Sequence, residues 1–151
     1  MLSMMVLLVA LGLGAPCAAQ VPPGPAPVMD TGELMSLLLE PLYLELKNAL
    51  ATPPHDRKGW AAIYQAAVRL AEADNLLFIR TPGRHTSDPA WAPAAAAARQ
   101  SAADIATATF VALRNVRTAD FGPLKARLAT VADTCNACHR ALKVDARTVR
   151  P

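Results

Sequence analysis

The sequence is poor in the residues that build sheets. Aromatic side chains make up 5% of its 151 residues, and runs of β-branched residues are almost absent, which points away from strands and toward helices. Glycine is scarce inside the segments with helical spacing. No block of like charge stands out: the net charge of +3 is spread along the chain with acids between the bases, so the clustered basic face of a nucleic-acid binder is missing. The continuous apolar stretch Met4 to Leu13 is too short for a bilayer span. There is no internal repeat, and no acid, base or nucleophile constellation converges as it would in an enzyme. What remains is long enough for one domain with a core.

The N-terminus reads as an export leader. Met4 to Leu13 has the length of a signal-peptide core, and Gly14-Ala15-Pro16-Cys17-Ala18-Ala19 follows it. Cys17 and Ala19 are small enough for the cleavage positions, so residues 1–19 form a signal peptide cut before Gln20. No Lys or Arg precedes the apolar run, which leaves the N-terminal amine as its positive charge. A lipid anchor on Cys17 is the rival reading, and Pro16 directly before it fits poorly. Residues 20–29, with Val21-Pro22-Pro23-Gly24-Pro25-Ala26-Pro27-Val28, form a Pro-rich tether that cannot be helical. The domain proper spans residues 30–147.

Without the leader, the remaining cysteines are Cys135 and Cys138, with His139 directly after them. Two cysteines three apart in an exported protein suit a disulfide, a redox pair, a metal or a haem. At this chain's own residue frequencies, Cys-x-x-Cys-His arises by chance in roughly one such sequence in a thousand.

Four amphipathic segments supply the context. The first, Thr31 to Ala51, places Met35, Leu38, Leu39, Leu42, Leu46 and Ala49 on one stripe, with Glu40 and Lys47 on the wet face and Pro41 bending it. The second, Asp56 to Ile79, turns Trp60, Ile63, Tyr64, Ala67, Leu70, Ala71, Leu77 and Phe78 inward. Asp74 is the odd polar residue beside that stripe, placed to bond a neighbouring helix or to face water. The third, Trp91 to Arg117, is rich in alanine, which favours close helix approach. The fourth, Pro123 to Ala146, opens at Gly122-Pro123. Its stripe is Leu124, Leu128, Val131, Cys135, Cys138, His139 and Leu142. Short connections between helices of similar length predict an all-α, antiparallel up-down-up-down four-helix bundle.

Residues three and four apart share a helix face, so both thiols and the imidazole point into the bundle. There the cysteines suit thioethers to haem vinyl groups and His139 suits an axial iron ligand. A thioredoxin-like pair wants a strand before it, and none is visible. Zinc wants a fourth ligand, and only His55 and His85, both in loops, are on offer. Haem c, one per chain near the end of the last helix, is the cofactor this favours.

A four-helix bundle with Cys135-Asn136-Ala137-Cys138-His139 late in its last helix resembles the cytochrome c-prime superfamily. Glu33-Leu34-Met35 with Pro41 in the first segment, and Ala71-Glu72-Ala73-Asp74-Asn75-Leu76-Leu77 near the end of the second, match as well. These pieces are similar to the low-spin, methionine-ligated branch, which implies Met35 as the sixth iron ligand. One departure is Arg140-Ala141-Leu142-Lys143, where the resemblance implies an aromatic residue soon after the histidine. Helix rise puts Met35 and His139 within about one turn of the same level, although a methionine on an apolar stripe is ordinarily core. The loop from Arg80 to Ala90 then falls at the haem end, with Leu76, Leu77 and Phe78 lining the pocket. Arg80 and Arg84 are either propionate partners or solvated loop charges, and His85 reads as a surface residue.

The expected function is single-electron transfer in the periplasm, with redox proteins as partners. A homodimer stays open, and neither nucleic acid nor a membrane span is expected. The alternative is a five-coordinate haem protein that binds or responds to small gases such as NO or CO, which requires that Met35 not ligate. An enzyme is not expected.

Overall fold

The computed structural model describes residues 26–80, 83 and 85–151. The expected leader, residues 1–19, and residues 20–25 of the tether lie outside the described residues. Four helices organise the rest. Helix α1 covers residues 31–49 as Thr31–Leu34, a π turn Met35–Leu39 and Glu40–Ala49. Helix α2 is Arg57–Asp74 and tightens into a 3-10 turn, Asn75–Ile79. Helix α3 is Trp91–Arg114 and α4 is Gly122–Ala141. No strand occurs among the described residues.

An aspartate stands before every helix. Asp30, Asp56, Asp88 and Asp120 each accept a backbone N–H at or next to the helix start, from Glu33, Gly59, Ala90 and Gly122, at 2.8–2.9 Å. Short acidic side chains satisfy donors that a helix start leaves without partners. At α1 the bond is returned, since the Asp30 N–H donates to Glu33 Oε2 at 2.9 Å and completes a capping box.

Pro41 shapes α1 in an unexpected way. It has no N–H to offer the Leu37 carbonyl, and its ring crowds that group. The helix answers upstream by widening: the Glu40 N–H bonds the Met35 carbonyl, five residues back. This extra residue shifts the buried stripe to Leu34, Leu39, Tyr43, Leu46 and Leu50. Met35, Leu38, Leu42 and Ala49, expected on the stripe, are only partly buried.

Helices α2 and α3 meet through small residues. Ala66, Ala67, Ala71 and Ala73 on α2, and Ala95, Ala102 and Ala106 on α3, are buried in one core with Ile63, Leu70 and Ile105. After Asp74 the chain tightens to three residues per turn, which carries Leu77 inward and leaves Phe78 46% exposed, against the expectation that it faces in.

Helix α4 ends earlier than its pattern implies, at Ala141 rather than Ala146. Lys143 takes a left-handed conformation with φ 52°. The Val144 N–H reaches the His139 carbonyl at 2.9 Å and the Lys143 N–H the Arg140 carbonyl at 3.2 Å. This pair of bonds is a Schellman ending, ordinarily built with glycine at the left-handed position. Lysine there gives no stop signal, so the sequence pattern runs on.

Packing is uneven. α1 packs on α2, α2 on α3 and α3 on α4, with α2 and α3 in the most extensive contact. No comparable close packing joins α1 to α4. At one end the Trp91 indole N–H donates to the Leu77 carbonyl at 3.0 Å. At the other, Arg57 donates to the Leu113 carbonyl at 2.7 Å, and Trp60 meets Phe121 edge-on at 6.3 Å.

Candidate cofactor site

The space between α1 and α4 is a cavity of about 530 Å³. Small-molecule and cofactor sites commonly measure about 300–1,000 Å³. Met35, Leu39 and Tyr43 line it from α1, Leu70, Asp74 and Leu77 from α2, and Ala98 from α3. Val131, Cys135, Cys138 and His139 line it from α4, and residues 144–150 line it as well. The small side chain of Ala98 leaves room at the back wall. Glu40, exposed as expected, and Lys47, half-buried, also border this cavity.

The motif lies as its spacing demands. Below Leu124, Leu128 and Val131, the side chains of Cys135, Cys138 and His139 continue along one face of α4 into the cavity. Beside them, the Thr134 and Ser101 hydroxyls meet at 3.0 Å and tie α4 to α3. Both cysteines are free thiols. Burial, with the charges of Asp74 and Cys138 as lesser causes, pushes the Cys135 thiol up to about 12. Burial and then Asp74 raise Cys138 as well. Such thiols stay protonated at neutral pH, whereas redox-active pairs and metal thiolates are found where the pKa is lowered.

His139 is held neutral, its pKa lowered by burial. Its Nδ1 is buried without a hydrogen-bond partner, and no other side-chain atom among the described residues shares that condition. An orphaned buried nitrogen calls for a partner that the protein itself does not supply. Asp74 is 5% exposed, and burial raises its carboxyl from 3.8 to about 7.

Met35 opens the π turn and lines the cavity from the helix opposite the motif. Arg80 is committed elsewhere: Nε donates to the Leu76 carbonyl at 2.8 Å and Nη1 to the Met29 carbonyl at 2.9 Å. It ties the tether to the end of α2 and is not among the cavity-lining residues. Arg84 lies outside the described residues. Of the three residues expected around the pocket from the end of α2, Leu77 lines it, while Leu76 and Phe78 do not. His55 is exposed, His85 is half-buried in its loop, and neither joins the thiols. Among the described residues no group of three or more His, Cys, Asp or Glu side chains is arranged to hold a metal ion.

Sequence reasoning missed Tyr43, Asn136 and the C-terminal segment. Tyr43 was hidden by the phase shift at the π turn, which cannot be anticipated from a uniform helical period. Asn136 is a variable position within the motif, and residues 144–150 carry no periodic pattern at all. No described helix is long and apolar enough to cross a membrane. Comparison with protein-family models, curated proteins and solved structures finds no match for this chain.

Proposed function

We propose that the chain is an exported, periplasmic monohaem c-type cytochrome that carries single electrons, on an antiparallel up-down-up-down bundle. In this reading Cys135 and Cys138 would hold the haem, and His139 and Met35 would ligate its iron. The observation that carries it is the single cavity in which both thiols and the imidazole on α4 stand across from Met35 on α1. The start of α3 beside the end of α2, and the start of α2 beside the end of α3, support the antiparallel order.

The donor set suits this cofactor. Two free, protonated thiols would hold the haem through its vinyl groups, an addition that would need no oxidant. A neutral imidazole offers its lone pair without first losing a proton. Leu39, Leu70, Leu77 and Val131 supply apolar walls that keep water away. When bound, the haem supplies an iron that changes oxidation state by one electron. His139 and Met35 as ligands together would leave a substrate no open position, which favours electron transfer over the gas-ligand reading. Met35 on the cavity wall supports that choice.

Haem-peroxidase staining after denaturing electrophoresis tests attachment. The wild type should stain, and the double variant Cys135→Ala, Cys138→Ala should not. The ferric protein should show the weak near-infrared band of thioether-to-iron ligation, and Met35→Ala should remove it, lower the reduction potential and speed carbon monoxide binding to the ferrous form. A wild type that releases all its haem into acidified organic solvent refutes attachment. Unchanged spectra and potential in Met35→Ala make Met35 core and turn the reading to gas binding.

A further inference from the structure

The last residues of the chain bridge the two helices that scarcely touch each other. Beyond the Schellman turn, residues 144–150 run along the cavity mouth. Asn136, between the two cysteines, grips them with both ends of its carboxamide: Nδ2 donates to the Val149 carbonyl at 2.9 Å, and the Val149 N–H donates to Oδ1 at 2.9 Å. On the other bank, the Tyr43 hydroxyl and the Lys47 ammonium both donate to the Arg150 carbonyl, at 2.9 and 3.0 Å. Tyr43 is 7% exposed, and burial, with Cys135 as a lesser cause, pushes its hydroxyl up to about 12, so it stays a donor. Val144 and Val149 are half-buried against the core.

These anchors join α4, which carries His139, to α1, which carries Met35. Ordering a segment of this length costs an entropy of the same order as its few hydrogen bonds and two half-buried valines return. Losing a two-pronged anchor therefore releases it.

We propose that residues 144–150 are a strap that closes the haem cavity, and that Asn136 is the positioning residue holding it. Resting on the haem reading above, the strap keeps α1 close to α4, so that Met35 stays at the iron and external ligands stay out. The first variable position of the Cys-x-x-Cys-His motif then has a task of its own.

The test uses full-length holoprotein and two variants that break the same contact from opposite sides. Asn136→Ala removes both bonds, and Val149→Pro removes the strap's donor without touching any helix. Each should bind carbon monoxide in the ferrous state about tenfold faster than wild type, in proportion to the larger open fraction, and at a lower reduction potential. The double variant should be no faster than the quicker single variant. The Val149 amide, protected in wild type, should exchange freely in Asn136→Ala. Haem staining keeps the two ideas apart. If all variants carry covalent haem and carbon monoxide rates stay within about twofold of wild type, the strap idea fails and the cytochrome stands. A wild type without covalent haem removes both.

Discussion

The α2–α3 interface and the α1–α4 gap are built from the same kinds of helix and behave in opposite ways. Between α2 and α3, alanine after alanine lets the backbones close up, and the core between them is filled. Between α1 and α4, larger side chains line a cavity that the protein does not fill. The contrast assigns stability to one half of the molecule and chemistry to the other. Polar groups follow the same division. Thr109, buried on α3, is satisfied by the Ile105 and Ala106 carbonyls of its own helix, whereas His139 Nδ1 beside the gap has no partner.

The largest expected effect comes from Asp74, on the wall of the gap. Its folded pKa is raised from 3.8 to about 7 by burial. Its stabilising contribution is therefore complete below 3.8 and lost as pH rises through about 7. At about 1.4 kcal/mol per pH unit, apoprotein stability should fall by up to about 4 kcal/mol across that window. His139 works the other way, since its lowered pKa makes stability fall as pH drops below 6.5. Urea unfolding of the apoprotein between pH 4 and 8 should show the first slope in wild type. Asp74→Asn should leave only the weaker, opposite slope. A wild type whose stability does not change with pH would mean that the carboxyl is hydrated in solution.

One substitution made twice on α3 tests the contrast directly. Ala102 is 0% exposed within the close-packed core, while Ala98, one turn earlier, faces the cavity. Ala102→Leu should cost about 3 kcal/mol, as overpacking in a filled core does. Ala98→Leu should change the apoprotein by less than about 1 kcal/mol, because there is space for the added methylenes, and should lower haem incorporation. Thermal melts and haem staining of both variants give the comparison, and equal costs would break it.

Two smaller effects concern the places where helices begin and end. At Gly59 an added Cβ would stand 2.7 Å from Pro54 Cβ, a rigid ring. Gly59→Ala, ordinarily favourable in a helix, should therefore destabilise by about 1 kcal/mol. Lys143→Gly relieves the left-handed backbone at φ 52° and should stabilise by slightly less than about 1 kcal/mol. Denaturant midpoints measure both, and a stabilised Gly59→Ala would show that the loop carrying Pro54 yields.

The filled half of the molecule was legible in the sequence and the open half only in part. The stripe from Trp60 to Leu70 carries a regular period, so helix type and inward face follow directly, whereas the alanine run on α3 gives helix type alone. The motif on α4 was legible for the same reason, since Cys135, Cys138 and His139 keep step with Leu128 and Val131. Around the gap the period breaks. Pro41 inserts a π turn and moves Tyr43 inward, Lys143 ends α4 without a glycine, and the segment beyond it is held by tertiary hydrogen bonds to Asn136, Tyr43 and Lys47. The first two are local events that interrupt a uniform period, and the last leaves no local trace, because it depends on partners elsewhere in the chain. Arg80 shows the same limit: a loop arginine has many acceptors to choose from, and here two of them are backbone carbonyls.

The widened turn in α1 has a consequence for how such a protein changes over generations. Along the same helix Leu34, Leu46 and Leu50 answer to the packed core and Met35, Tyr43 and Lys47 to the cavity, and the turn is a slip joint that sets the phase between the two sets. Ser36 within it borders the cavity, while Leu37 faces outward and is 66% exposed. A substitution at Ser36 should therefore alter the cavity wall while Leu46 and Leu50 keep their seats. Inheritance is thus given a dial for the cavity that leaves the foundation of the fold undisturbed.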